Sequence, residues 1–326
     1  ESAGVGTGAS RLIYGDHPEH GELELEVARF FAAPAALTFN CGYSANLGTL
    51  PALIGPRDAV FSDALNHASL IDGCRLSRAK VYVYRHADMS ALRVLLASRR
   101  SSHQRAIIAT DGVFSMDGHT APLPEIVELA REFNAWTYVD DAHAVGVLGD
   151  QARGAAEHHG VHGSIDVTVG TFGKAFGVAG AFVYGSPSLR RHLVNRARSF
   201  VFSTAMLPAQ AAAARASLRV VADEPERRAA LRANVARLRD GLAQRGILPA
   251  GDHDMHIVPV VIGDSDDVVR IGAELRTRGV LVGAVRPPTV PDGTSRLRIC
   301  ASAAHTPAHV NHLIESLAGL LSPGGS

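Results

Sequence analysis

Between about residues 35 and 205, short apolar and β-branched runs alternate with amphipathic stretches. "AVFSDA", "KVYVYR", "AIIATDGV", "TYVDDA", "DVTVGTF" and "GAFVYG" read as buried strands. Between them, "PLPEIVELAREFN" puts Ile126, Leu129, Ala130 and Phe133 on one face, with prolines suited to a first turn. The alternation predicts an α/β fold with a mostly parallel sheet. From residue 208 to 246 the pattern turns helical, with Leu231, Val235, Leu238 and Leu242 on one stripe, and predicts a long helical spine. Beyond it, "HIVPVVIG", "VLVGAVR" and "SRLRICAS" read as strands around the helices "DDVVRIGAELRTRG" and "PAHVNHLIESLAGLL". The expected organisation is a large domain over 1–223 and a small α+β domain over 224–326.

Composition narrows this picture. A chain of 326 residues, 46% of them hydrophobic, can bury a sizeable core in about two domains. A formal charge of zero and a pI near 7.5 give no basic footprint for nucleic acid and no acidic tail. Cys41, Cys74 and Cys300 are odd in number and widely spaced. That spacing argues against a disulfide frame or zinc site and for a reducing compartment, with cytoplasm expected. No apolar run reaches about 18 residues. The glycine-rich opening "GVGTG" has no strand before it, which argues against a dinucleotide site and suggests that an N-terminal portion precedes it.

In open α/β sheets, ligands sit beyond the carboxyl ends of the strands. Ser115 in "DGVFSMDG", Asp140 and His143 in "VDDAH", and Thr171 and Lys174 in "TFGK" all fall there. Nearly all of the 32 Lys and Arg are Arg, yet a lysine stands between glycines and phenylalanines in "TFGKAFGVAG", surroundings that predict burial. A lysine can lose its proton and attack a carbonyl, whereas a guanidinium cannot. Asp140 follows the apolar run "WTYV"; either it or Asp141 caps a following turn, or Asp140 faces a ring nitrogen and keeps it protonated. In "FNCGYSANLG" a strand is expected to end at Cys41 and Gly42, with a helix beginning near Tyr43, and such a terminus attracts phosphate. His67 in "DALNHAS" is either a hydrogen-bonded cap or a flat ring stacked on a cofactor. A lysine amine, a carboxylate and a phosphate cradle make the minimum set for pyridoxal 5'-phosphate (PLP). Walker A and GxSxG patterns do not match, and the histidines of "EHHGVH" and "HDMH" read as solvated rather than metal-binding.

The runs "GYSAN", "DALNHAS", "DGVFSMDG", "VDDAHAVGVLG", "TFGKAFGVAG", "FSTAMLPAQ" and "RPPTVPDGTSRLRI" occur in an order that strongly resembles the α-oxoamine synthases. These are PLP enzymes of the aspartate-aminotransferase fold (fold type I), and the C-terminal run is most similar to their biotin-pathway branch. The resemblance implies that Lys174 holds the cofactor and acts as base at the substrate Cα, and that Asp140 pairs with the pyridine nitrogen. It implies that His143 and Ser115 lie by the phenolic oxygen and that His67 stacks on the ring. Gly42, Tyr43 and Thr171 would hold the phosphate, Thr204 would reach the phosphate of a partner subunit in a homodimer, and Arg298 would bind the amino-acid carboxylate. The reaction implied is a decarboxylative condensation of L-alanine with a pimeloyl thioester, carried on CoA or a carrier protein. Other α-oxoamine synthases with a different amino acid or acyl donor, and a non-catalytic relative, stay open as alternatives. Tyr14, in "RLIYGDHPEH" where relatives tend to carry Ser or Thr before the glycine, either narrows the acyl channel or packs, and packing is expected.

Overall fold

The computed structural model describes residue 4 and residues 6–321. Val5 of "GVGTG" lies outside the described residues, as do the first three and last five positions of the expected domains. The chain divides into two compact units, 4–113 with 121–223, and 114–120 with 224–321.

The first unit is built on seven strands: β1 (Ala35–Phe39), β2 (Ala59–Asp63), β3 (Lys80–Tyr84), β4 (Ala106–Asp111), β5 (Trp136–Asp140), β6 (Val167–Thr171) and β7 (Ala181–Gly185). Their order is β1-β7-β6-β5-β4-β2-β3, parallel throughout except for β7, which runs antiparallel to both neighbours. β1 ends at Phe39, two residues earlier than the expected Cys41, and the helix Gly42–Leu53 begins after a two-residue turn. Val60, Ile107, Ala109, Tyr138 and Val169 are buried against this helix and its neighbours, which explains why these strands read as unbroken apolar runs. On the other face, Phe31, Phe172, Phe182 and Tyr184 form an aromatic core with rings 4.8–6.3 Å apart.

The second unit holds a three-stranded antiparallel sheet, with β8 (Ile257–Gly263) and β9 (Gly283–Val285) on either side of β10 (Ser295–Cys300). β9 is three residues long, shorter than "VLVGAVR" suggests. Val258, Val260, Leu297 and Ile299 pack against Leu238, Leu242, Ile271 and Ile314.

Two expectations need correction. The helical spine is two helices, Pro208–Asp223 and Glu226–Ala243, broken at Glu224 and Pro225. Proline has no N–H to continue the ladder, and its ring disfavours helical geometry in the residue before it. Residues 114–120, expected in the first domain, cluster with the second unit. There Thr120 donates to Asp252 through N–H (2.7 Å) and hydroxyl (2.8 Å), Asp117 pairs with the buried Arg296, and Ser115 O accepts from Arg298 Nε.

Candidate active site

In the first unit, the sequence-predicted residues follow the carboxyl ends of strands that all run in one direction. Gly42 and Tyr43 come after β1, His67 after β2, Asp140 ends β5 with His143 just beyond, and Thr171 ends β6 with Lys174 just beyond. Parallel strands put every such terminus on one edge, so the topology gathers groups that are up to 132 positions apart in the chain.

The helix Gly42–Leu53 ties these groups together. Its N-cap, Cys41, accepts from Ser44 N (3.4 Å) through Sγ, while Ser44 Oγ accepts from Cys41 N (3.2 Å). A first helical turn leaves its leading N–H groups without helical partners, here those of Gly42 and Tyr43. A side chain placed on Gly42 would meet Thr171 Cβ at 4.0 Å, so Thr171 flanks this terminus. Thr171 Oγ1 donates to Gly180 O (2.9 Å) and accepts from Gly173 N (3.1 Å).

One turn further on, Asn46 is fully buried, and its amide is oriented by its partners. Nδ2 donates to Asp140 Oδ2 (2.6 Å) and Ser69 Oγ (2.8 Å), and Oδ1 accepts from Tyr138 OH (2.8 Å). The other oxygen of Asp140 accepts from Ala142 N (3.1 Å). His67 caps the helix Ala68–Ser77, its Nδ1 accepting from Ser69 N (3.3 Å) and lying 2.7 Å from Ser69 Oγ. Because Nδ1 accepts from the Ser69 N–H it carries no proton of its own, so the 2.7 Å contact is the Ser69 hydroxyl donating to Nδ1. A neutral His67 therefore carries its proton on Nε2. A continuous chain of hydrogen bonds thus runs from His67 through Ser69 and Asn46 to Asp140.

Behind this chain lie two further acids. Asp111 ends β4 in register with Asp140, is 3% exposed, and has a carboxyl pushed well up from its ordinary range by burial and by the nearby Asp140. Asp141 is fully buried, and burial raises it to about 7, opposed by the Ala155 N–H (2.9 Å) and assisted by Asp140. Gly154, at φ +104°, is required there, because a Cβ would stand 1.8 Å from Asp141 Oδ2.

Several expected features are placed differently. Lys174 is exposed, not buried, on the turn following β6, while Phe172 and Phe176 take the buried apolar positions beside it. Tyr14 is 84% exposed instead of packed. Thr204 is exposed, and its carbonyl accepts from Asn40 Nδ2 (2.8 Å) in the same chain. His162, read as solvated, bonds Phe31 O through Nε2 (2.8 Å). Ser115 and Arg298 belong to the second unit and meet there, Arg298 also donating to Cys300 Sγ (2.9 Å). Asn46, Ser69, Tyr138 and Asp111 were not singled out in the sequence. Asp111 could have been found as an acid at the end of an apolar strand and Tyr138 as a hydroxyl inside one, whereas Asn46 and Ser69 give no local signal.

A phosphate-attracting helix start, a carboxylate one helical turn away and a nearby lysine are the features of a PLP transferase of fold type I. The model of the aminotransferase class I and II family matches residues 2–317, and the chain belongs to that family. Among curated relatives it is 52% identical over 316 residues to the 8-amino-7-oxononanoate synthase of Methylococcus capsulatus, covering 97% of this chain and 81% of that protein. It is 51% identical over 318 residues to the synthase of Anaeromyxobacter dehalogenans, covering 98% and 79%. Among solved structures, serine palmitoyltransferase from S. paucimobilis with a bound PLP–myriocin aldimine superposes with a TM-score of 0.94 at 33% identity, over 97% of this chain and 80% of that one. The 8-amino-7-oxononanoate synthase of Francisella tularensis gives 0.82 at 27% identity, over 93% and 87%. Within the family, the chain is an α-oxoamine synthase.

The residues fit PLP. Unpaired N–H groups at the helix start suit a dianionic phosphate. Asp140, 7% exposed and held by two donors, suits a protonated pyridine nitrogen, and Lys174 supplies the primary amine that an aldehyde cofactor needs.

Proposed function

We propose that this chain is a PLP-dependent acyltransferase of biotin biosynthesis that joins L-alanine to a pimeloyl thioester, on CoA or a carrier protein, with loss of CO2. The product is 8-amino-7-oxononanoate. The observation that carries the reading is the helix Gly42–Leu53, which presents N–H groups at one end and holds Asp140 through Asn46 one turn later. The cofactor's two ends, phosphate and ring nitrogen, are served by one rigid element. Near 50% identity to synthases of this name over nearly the whole chain supports the choice of reaction.

Bound PLP supplies an electron sink for the pair left on the substrate Cα when its proton departs. Asp140 keeps the ring nitrogen protonated, and the Asn46 amide holds the Asp140 carboxylate in place for that task. Lys174 would hold the cofactor through its amine, and the same amine would take the proton from the substrate Cα and later return one. His67 lies against the ring, fixed as the Nε2–H tautomer by Ser69. Gly42, Tyr43 and Thr171 bind the phosphate, with Thr204 supplied by the partner subunit of a homodimer. His143 and Ser115 would bond the phenolic oxygen, and Arg298 would receive the alanine carboxylate. Among the described residues no helix is long and apolar enough to cross a membrane. The balanced charge and free cysteines suit a cytoplasmic enzyme.

Product mass analysis with L-alanine and pimeloyl-CoA tests the reaction, with glycine, serine and longer acyl-CoAs as parallel arms. A product of 8-amino-7-oxononanoate mass only in the alanine–pimeloyl arm supports it. The close superposition on a serine palmitoyltransferase favours a second reading, in which serine and a long-chain acyl-CoA react instead; turnover confined to that arm would replace the first.

A further inference from the structure

The active-site edge holds a carboxyl that the proposed chemistry does not use. Asp111 takes part in a two-point clamp. Its backbone N–H donates to Asn66 Oδ1 (2.9 Å), and its Oδ2 accepts from the backbone N–H of His67 (3.2 Å). Asn66 is pinned further through Nδ2 to Ser62 Oγ (2.9 Å) and Ala109 O (2.8 Å). The residue that enters the helix Ala68–Ser77 is thus hung from the end of β4. The remaining oxygen, Oδ1, is buried and makes no hydrogen bond within the described fold. Residues in register on adjacent parallel strands turn their side chains to the same face, which sets Asp111 beside Asp140.

We propose that Asp111 is a positioning residue for bound PLP, holding the His67 ring against the cofactor through the His67 N–H and standing as the uncharged partner of Asp140. The proposal rests on the PLP reading of the site. Two buried carboxyls side by side do not both ionise readily. Four groups bear on Asp111 electrostatically: Asp140 from β5 and Asp63 from β2 raise it, and the His67 N–H and the Lys174 ammonium lower it, with burial the largest influence. Burial and the two neighbouring carboxyls thus push Asp111 toward its protonated form. A protonated Asp111 contributes shape and a hydrogen bond at this edge without a second negative charge.

Asp111→Asn and Asp111→Ala, compared with the parent, separate the outcomes. PLP affinity is measured by titration, and the pH midpoint of the visible band of protein-bound PLP is followed in each. Asparagine keeps an oxygen for the His67 N–H and is uncharged, so affinity within about twofold of the parent and an unmoved midpoint are expected; alanine loses the clamp and is expected to weaken PLP binding about tenfold. A midpoint lowered by about one unit in Asp111→Asn would mean that the parent carries a charge at Asp111, and would overturn the proposal. Parent-like PLP affinity in Asp111→Ala would do the same. A parent that binds PLP while the variants break this pattern defeats the positioning role alone. A parent that gives no bound-PLP band defeats the reading of the site, and this inference with it.

Discussion

The two ends of the seven-stranded sheet differ in kind. At the amino end of its parallel strands lies a cavity of about 640 Å3, lined by Phe31, Pro34, Leu53, Trp136 and Tyr184 among others. At the carboxyl end, Asp140, Asp111, Asn46, Ser69, Tyr138 and His67 are bonded or paired in register over a short span. Judged by concavity alone, the amino end would be taken for the site. Among the described residues its lining has Asp166 bonded to Thr137 and His162 to Phe31 O, but no chain of buried polar groups like that at the carboxyl end, and burial of polar groups is what costs free energy and so points to use. Room can arise wherever helices diverge, whereas three acids at adjoining strand ends persist only if something stabilises or employs them.

The largest effect expected from breaking this contrast is at Lys174. Lys174→Ala removes the amine that holds the cofactor and moves the Cα proton, so turnover should fall by roughly 10³-fold or more, and the visible band of bound PLP should vanish. Steady-state kinetics and absorbance read both. Lys174 is exposed, so the melting temperature of the cofactor-free protein should hardly move. Retention of the band with normal turnover would remove the carboxyl end from the chemistry.

A smaller effect belongs to Asp141, which lies behind the site and is read through pH. Its pKa in the folded protein, about 7, stands above the ordinary 3.8 because burial disfavours the charge. Between those values the folded protein keeps a proton that the unfolded chain has released, so stability from this group is complete below about pH 4 and lost as pH rises through about 7. Asp141→Asn removes that dependence while keeping an oxygen for the Ala155 N–H. Urea unfolding at several pH values should show the variant gaining on the parent as pH rises, by on the order of 4 kcal/mol in all. A constant difference between variant and parent from pH 5 to 8 would mean that Asp141 titrates normally.

The sequence made Asp140 and Lys174 visible because each interrupts an apolar run, which a buried strand does not do without cause. It misjudged Lys174, because flanking glycines and phenylalanines say nothing about which way a turn points its longest side chain. Asn46 and Ser69 were invisible for a different reason. Each sits inside an ordinary helical stretch, and its importance comes from neighbours 94 and 23 positions from Asn46 that only the sheet order brings close. The break at Pro225 was legible in "DEPE", and the helical periodicity on both sides obscured it. The transfer of residues 114–120 to the second unit had no local signature, since it depends on Asp252, Arg296 and Arg298, all more than a hundred positions away.

The smallest effect sharpens the contrast from the other side. Ser188 lines the amino-end cavity from the first turn of the helix Pro187–Arg196, is exposed, and makes only a hydroxyl contact with Ser186 (2.9 Å). Ser188→Leu adds apolar volume facing the cavity and removes no buried hydrogen bond. Its stability change should stay within about 0.5 kcal/mol, as for other surface substitutions. If the cavity is only a consequence of packing, filling it leaves kcat, KM and PLP affinity unchanged, because a close-packed sheet lies between it and Asp140 and Lys174. A severalfold change in kcat or in PLP affinity, with melting unaltered, would show that the amino end is coupled to the chemistry. The division of labour between the two ends would then have to be abandoned.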